Sequence, residues 1–234
     1  MTPRCLLALC LVLLSLSSQA QTIAESMALF DDGKISEAVA QLNKLSQGGN
    51  ADAQNMLGVL YDNGQGVAQD YKLARVWFEK AAAQGHASAQ YHLGFIYEAG
   101  RGVAQSDKQA LHWYGLAATA ANPNAQYRLA VMSLNGYGVK PNPVEARKWF
   151  AQAAAQGDPH AQRQLGTLYA KGLGVTQNKM LAYMWLDIAR GLGEQSATRT
   201  LTELSETMSK DLVTQAQELA RQCIAKSYQG CETM

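Results

Sequence analysis

The sequence predicts an all-α solenoid of stacked helix pairs. Leu57, Leu93, Leu129 and Leu165 stand 36 residues apart, and so do Trp77, Trp113, Trp149 and Trp185, the four tryptophans of the chain. Gly64, Gly100, Gly136 and Gly172 keep the same step. Gly66, Gly102, Gly138 and Gly174 do too, each followed by a valine, Val67, Val103, Val139 or Val175. A fixed period of this size marks units that pack on their neighbours rather than around one central core.

Residues 1–20 read as a secretory signal peptide. Arg4 is the only charge before an apolar run of twelve residues, Cys5 to Leu16, and Ser18-Gln19-Ala20 places small residues where an export peptidase cuts, between Ala20 and Gln21. The run is shorter than the ~20 residues a spanning helix needs, and no later segment is apolar for long enough, so no stable membrane insertion is expected. Periplasmic and fully extracellular destinations both stay open, with the periplasm preferred. Without residues 1–20 the chain carries 19 basic and 19 acidic residues. That neutrality argues against a nucleic-acid partner, which asks for a basic stripe.

Residues 21–49 form a degenerate opening repeat. Ala24, Ala28 and Leu29 suggest one helix, Asp31-Asp32-Gly33 a turn, and Ala38, Leu42 and Leu45 a second helix in phase with Ala74 and Phe78. Four full repeats follow over 50–193, at about 50–85, 86–121, 122–157 and 158–193. In the first, Ala53, Leu57 and Tyr61 recur at i, i+4 and i+8 on one helix face. Gly58 interrupts that helix, as do Gly94 and Gly166, with Ala130 in the remaining repeat. A mid-helix glycine costs about 1 kcal/mol against alanine, so close approach of a neighbouring helix is the expected reason.

Gly64 ends the helix, where a left-handed residue is needed, and the valine after Gly66 is expected to plug the space beneath the loop. Asp70, Ser106, Asn142 and Asn178, again 36 apart, are N-cap residues for the second helix. That helix carries Ala74, Trp77, Phe78, Ala81 and Ala82 on one face, and the tryptophans are expected to be buried between layers.

These motifs resemble the Sel-one-like repeat (SLR) family, a branch of the tetratricopeptide superfamily. The pattern Ala-x-Ala-Gln-x-x-Leu-Gly-x-x-Tyr-x-x-Gly-x-Gly-Val, then Ala-x-x-Trp-Phe-x-x-Ala-Ala, recurs four times from about Ala51 to Arg190, with Ala130 and Ser133 as the departures of the third copy. The resemblance implies a right-handed superhelix of antiparallel helix pairs whose first helices line a concave surface, acting as an adaptor.

After Gly193 the repeat breaks. Residues 194–226 read as a C-terminal helical cap, with a helix over 194–207 burying Leu201 and Leu204 and a second from Lys210, capped by Ser209. Residues 227–234 form a tail, expected to be loose unless Cys231 ties it down. Cys223 and Cys231 are the two cysteines left after cleavage, eight apart. In an exported chain they are expected to pair, which stabilises such a short loop by about 2–3 kcal/mol on a chain-entropy account.

The sequence carries little chemistry. Serine-nucleophile, zinc-protease and phosphate-loop motifs are missing, and the loop glycines recur in every repeat as turn glycines. His86, His92, His112 and His160 have no second ligand at helical spacing, so neither a metal site nor a cofactor is expected.

What remains is the free face of the first helices. Its columns are Asn55, Tyr91, Tyr127, Arg163 and Val59, Phe95, Val131, Thr167. Tyr91, Phe95, Tyr127 and Val131 are expected to form an apolar, aromatic patch with Arg163 to one side, residue types common in binding hot spots. The function expected is a non-enzymatic exported scaffold that binds a protein or peptide of the cell envelope there. The alternative is a peptidoglycan- or β-lactam-binding or hydrolysing envelope protein. The resemblance raises it, since some exported, cysteine-rich relatives are linked to that activity, but this chain departs from them in lacking a cysteine pair in each repeat and a serine nucleophile motif. The oligomeric state is left open.

Overall fold

The computed structural model describes residues 22–233; the signal segment and its cleavage position lie outside them. Among the described residues every element is helical, and none of the helices is long and apolar enough to cross a membrane. The chain is an all-α helical-repeat solenoid. Its contacts divide it into two compact bodies, one ending at Gln105 and one starting at Ser106.

In the N-terminal body, α1 (22–31) turns at Gly33 into α2 (Ile35–Gln47), followed by α3 (Ala51–Asn63), α4 (Tyr71–Ala82) and α5 (Ala87–Ala99). The inward residues of α1 are Ser26, Ile23 and Phe30, whereas Ala24 and Ala28 are exposed. Ala38, Leu42, Ala53, Leu57, Ala74 and Phe78 are fully shielded from water. Gly58 lets α4 pack tightly on α3, for a Cβ there would lie 2.5 Å from the Phe78 ring.

The first helices are capped as regularly as the second ones. Asn50 accepts from the Ala53 amide and His86 from the Ala89 amide through Nδ1, and in the other body Asn122 and Asp158 do the same for Ala125 and Ala161. Asp70, Ser106, Asn142 and Asn178 cap the second helices, and Gly64, Gly100, Gly136 and Gly172 close the first helices in the left-handed conformation. The next glycine of the loop lies on the first turn of the preceding second helix: a Cβ on Gly102 would sit 2.9 Å from Tyr71 Cβ.

The C-terminal body comprises α6 (Asp107–Thr119), α7 (Pro123–Asn135), α8 (Pro143–Ala154), α9 (Pro159–Lys171), α10 (Lys179–Gly191), α11 (Ala197–Ser205) and α12 (Lys210–Ala225). α12 and α11 both pack on α10, and Leu201, Leu204, Ala216, Ala220 and Cys223 join the core of α8–α10. α11 starts at Ala197 rather than at 194. The Glu194 carboxylate accepts from the Ser196 amide and hydroxyl, a local side-chain bond that competes with helix formation.

Two more expectations need correction. The tryptophans are not a buried column: Trp77, Trp113 and Trp149 are half-buried, and only Trp185 is fully covered, on the helix that α12 packs against. Trp77 instead holds the Lys80 ammonium 4.1 Å from its ring centroid. The buried column is its neighbour, Phe78, Tyr114, Phe150 and Leu186. Val139 is 47% exposed, so the third loop has no valine plug. Cys231, buried and joined by a disulfide to Cys223, ties down residues 227–233 as the pairing implies, and a 3-10 turn spans Cys231–Thr233.

Gly166 offers a direct test of the close helix approach. A Cβ there would stand 2.8 Å from Leu186 Cγ and 3.0 Å from the Ala182 carbonyl oxygen. Gly166→Ala gains about 1 kcal/mol of helix propensity but overpacks the contact by about 1–3 kcal/mol. Urea denaturation is expected to show a midpoint at or below that of the wild type. A clearly higher midpoint would mean that α9 and α10 have room to spare.

Candidate functional site

The free face of the first helices is set by what the repeat buries. Ala53, Leu57 and their 36-residue equivalents point inward on α3, α5, α7 and α9, which turns Asn55, Val59, Tyr91, Phe95, Tyr127, Val131, Arg163 and Thr167 away from the core line. All eight are half-buried. Among the described residues no group of three or more metal-ligating side chains comes together.

In the N-terminal body, Val59 lines an open apolar cavity of about 450 Å³ with Met27, Phe30, Ile35, Met56 and Leu60. Asp31 and Gln65 supply its polar rim. Met27 and Ile35 are among the exposed large apolar residues of the chain. Asn55, on the same helix as Val59, has its buried Oδ1 unpaired.

Phe95 is not free as the sequence suggests. The Arg101 guanidinium lies 4.6 Å from its ring centroid and 5.7 Å from that of Tyr71. Asp62 accepts from Arg101 Nη1 at 2.7 Å and fixes it there. Arg101 precedes the second loop glycine, where the other repeats carry Gln65, Tyr137 and Leu173, so no periodic signal announces it. Tyr91 makes an edge contact with His92 at 5.5 Å.

In the C-terminal body, Tyr127 packs against Phe150 at 5.7 Å and near His160 at 6.1 Å. Val131 leans on the core of α8–α10. Arg163 Nε lies 3.7 Å from Glu194 Oε1, and His160 pairs with the other oxygen of the same carboxylate. The Ser196 hydroxyl, with His160 and Arg163, holds the Glu194 carboxyl below its usual range. The Thr167 hydroxyl donates to the Arg163 carbonyl of its own helix at 2.9 Å. Tyr91 and Phe95 therefore belong to one body and Tyr127 and Val131 to the other, and each pair has its own neighbours.

Each first helix also carries a buried glutamine. Gln54, Gln90, Gln126 and Gln162 donate through Nε2 to the carbonyls of Ser46, Ala82, Ala118 and Ala154, each eight residues earlier. The periodicity of this column is visible in the sequence, but its task is not.

The repeats match the family model described as "Sel1 repeat" at residues 51–86, 87–122, 123–158 and 159–193. The chain is a Sel1-repeat protein. Sel1-repeat proteins are generally protein-interaction scaffolds and typically non-enzymatic. A protective antigen present in uropathogenic Escherichia coli strains, displaying an SLR fold, is 32% identical with a TM-score of 0.74. The match covers 84% of this chain and 43% of that one, so this Sel1-repeat chain spans less than half the length of that relative. A Sel1 repeat protein from Oxalobacter formigenes is 32% identical with a TM-score of 0.72, over 77% of this chain and 74% of that one. A putative Sel1 repeat protein from Klebsiella pneumoniae, 22% identical over 80% of this chain and 93% of that one with a TM-score of 0.52, shares the fold. Among curated proteins no match was found.

His92 gives this surface an acid sensitivity. It stacks on Phe78 at 4.7 Å. Burial, reinforced by nearby His86, lowers its pKa from 6.5 to about 4. The native chain thus keeps a neutral ring that the unfolded chain protonates near pH 6.5. The stability tied to this group is complete above that pH and is lost as pH falls towards 4, by on the order of 3 kcal/mol at most. His92→Gln, which copies Gln164 of the fourth repeat, is expected to lose less stability than the wild type between pH 7 and pH 4.5 in urea titrations. Equal losses would show that His92 ionises alike in both states.

Proposed function

We propose that this Sel1-repeat protein is an exported, non-enzymatic scaffold that binds a protein or peptide partner of the cell envelope on the free face of its first helices. The observation that carries the reading is the accessibility of that face. The eight side chains of the two outer columns keep part of their surface in water, whereas Leu57, Leu93 and Leu165 in the inner column keep none. Tyrosine and arginine at such positions supply large contact areas on rigid helices, so little ordering entropy is lost on binding. The apolar cavity beside Val59 adds a place for one buried anchor side chain.

Affinity capture from solubilised cell envelopes tests the face. A partner held by the wild type is expected to fall at least ten-fold with the double variant Tyr91→Ala, Tyr127→Ala, once circular dichroism shows unchanged helicity. Equal capture by both proteins would move the site elsewhere.

Export rests on the residues of the leader, Arg4, the run from Cys5 to Leu16, and Ser18-Gln19-Ala20. Fractionation of a C-terminally tagged chain is expected to place it outside the cytoplasm, with a mature N-terminus at Gln21. An intact Met1 on cytoplasmic protein refutes this.

A further inference from the structure

The repeat places an arginine and a tyrosine in the same register twice, as Arg75 with Tyr97 and as Arg147 with Tyr169. Arg75 finds its acid one turn on in α4, where Nη1 donates to Glu79 at 2.6 Å. Ala151 stands at the matching place in α8. Arg147 Nη1 donates instead to Glu232 Oε1, at 2.8 Å. The Tyr169 hydroxyl donates to that same oxygen at 2.5 Å. Two helices, α8 and α9, thus aim donors at one carboxylate oxygen. Arg147 Nε is also buried there without a partner.

Glu232 reaches this place on a short tether. Cys231 is bonded to Cys223 of α12. Gln229 Nε2 donates to the Ala155 carbonyl at 2.8 Å. The Tyr228 ring covers Gly157, where a Cβ would meet it at 3.2 Å. The arginine and Glu232 side chains both stay about a quarter exposed, at 24% and 28%, so the pair is open to exchange from solvent.

We propose that Arg147 and Tyr169 form a binding site for the carboxylate of an acidic peptide segment, filled within the chain by Glu232 and kept filled by the Cys223–Cys231 disulfide. Charge-assisted bonds from a guanidinium and a phenol to one carboxylate are the strong kind, and they select an acid over an amide. A tether this short holds its ligand at an effective concentration in the millimolar range, which excludes a dilute competitor. A dithiol reductant opens the tether. It delivers two electrons and two protons, the S–S bond becomes two thiols, and the reductant leaves as its own disulfide. Residues 227–233 are then held by non-covalent contacts alone. The site is separate from the first-helix face, and neither reading depends on the other.

The test uses the full chain and a fluorescent synthetic peptide of residues 227–234 carrying Cys231→Ser. Fluorescence anisotropy is expected to show at least ten-fold tighter binding to Glu232→Gln protein under a dithiol than to oxidised wild type. The same peptide with glutamine in place of Glu232 is expected to bind about ten-fold more weakly, the loss of charge-assisted bonds. Adding Arg147→Leu to the protein is expected to remove the gain, and Tyr169→Phe to reduce it. Absent binding to the reduced, helical Glu232→Gln protein, or equal binding of the glutamate and glutamine peptides, overturns the site and leaves a structural clamp. Hydrogen exchange of residues 227–233 in the wild type checks the tether without any substitution. Reduction is expected to speed it, and unchanged exchange overturns the role given to the disulfide.

Discussion

Each first helix is pinned to the second helix before it by a buried glutamine amide. The last carbonyls of a helix have no partner within the helix; those of Ser46, Ala82, Ala118 and Ala154 accept a turn amide and, from across the turn between repeats, the side chain of Gln54, Gln90, Gln126 or Gln162. A buried amide that misses its partner costs about 1–3 kcal/mol. A slip of one residue in this packing therefore strands a buried amide in every repeat. Gln84 and Gln156 give Gln54 and Gln126 a second bond. The matching residues for Gln90 and Gln162 are Ala120 and Leu192, and the Oε1 atoms of these two glutamines remain unpaired.

The rest of the repeat follows from that register. Once the turn is pinned, Gly58 and Gly166 meet Phe78 and Leu186 at distances that exclude a methyl group. The buried column then falls on Phe78, Tyr114, Phe150 and Leu186, while Trp77, Trp113 and Trp149, one residue earlier, are only half-buried. Caps at both helix starts of each repeat orient the chain at every turn, so stability is distributed among neighbouring pairs rather than concentrated in one core.

A repeat constrained in this way leaves function to the columns it does not use. Tyr91, Tyr127 and Arg163 share one position but meet different neighbours, from the His92 ring to Phe150 to the Glu194 carboxylate. The C-terminal segment shows the same logic at a single place. Where a repeat position lacks its acid, as at Ala151, a residue from the far end of the chain supplies one.

The 36-residue step by itself determined the helix pairs, the glycine stops, the caps of the second helices and the family, because these depend on local backbone chemistry repeated in phase. The caps of the first helices were equally periodic but hidden by variety, since asparagine, histidine, asparagine and aspartate fill one position with one hydrogen-bonding role. Tertiary structure alone decided which aromatic residue was buried, because adjacent positions on a helix differ by about 100° and only the neighbouring helix distinguishes them. It alone covered Phe95 with Arg101, docked the tail and joined Glu232 to Arg147 and Tyr169. Those partners lie outside the period, at separations set by how the chain packs and not by how it repeats.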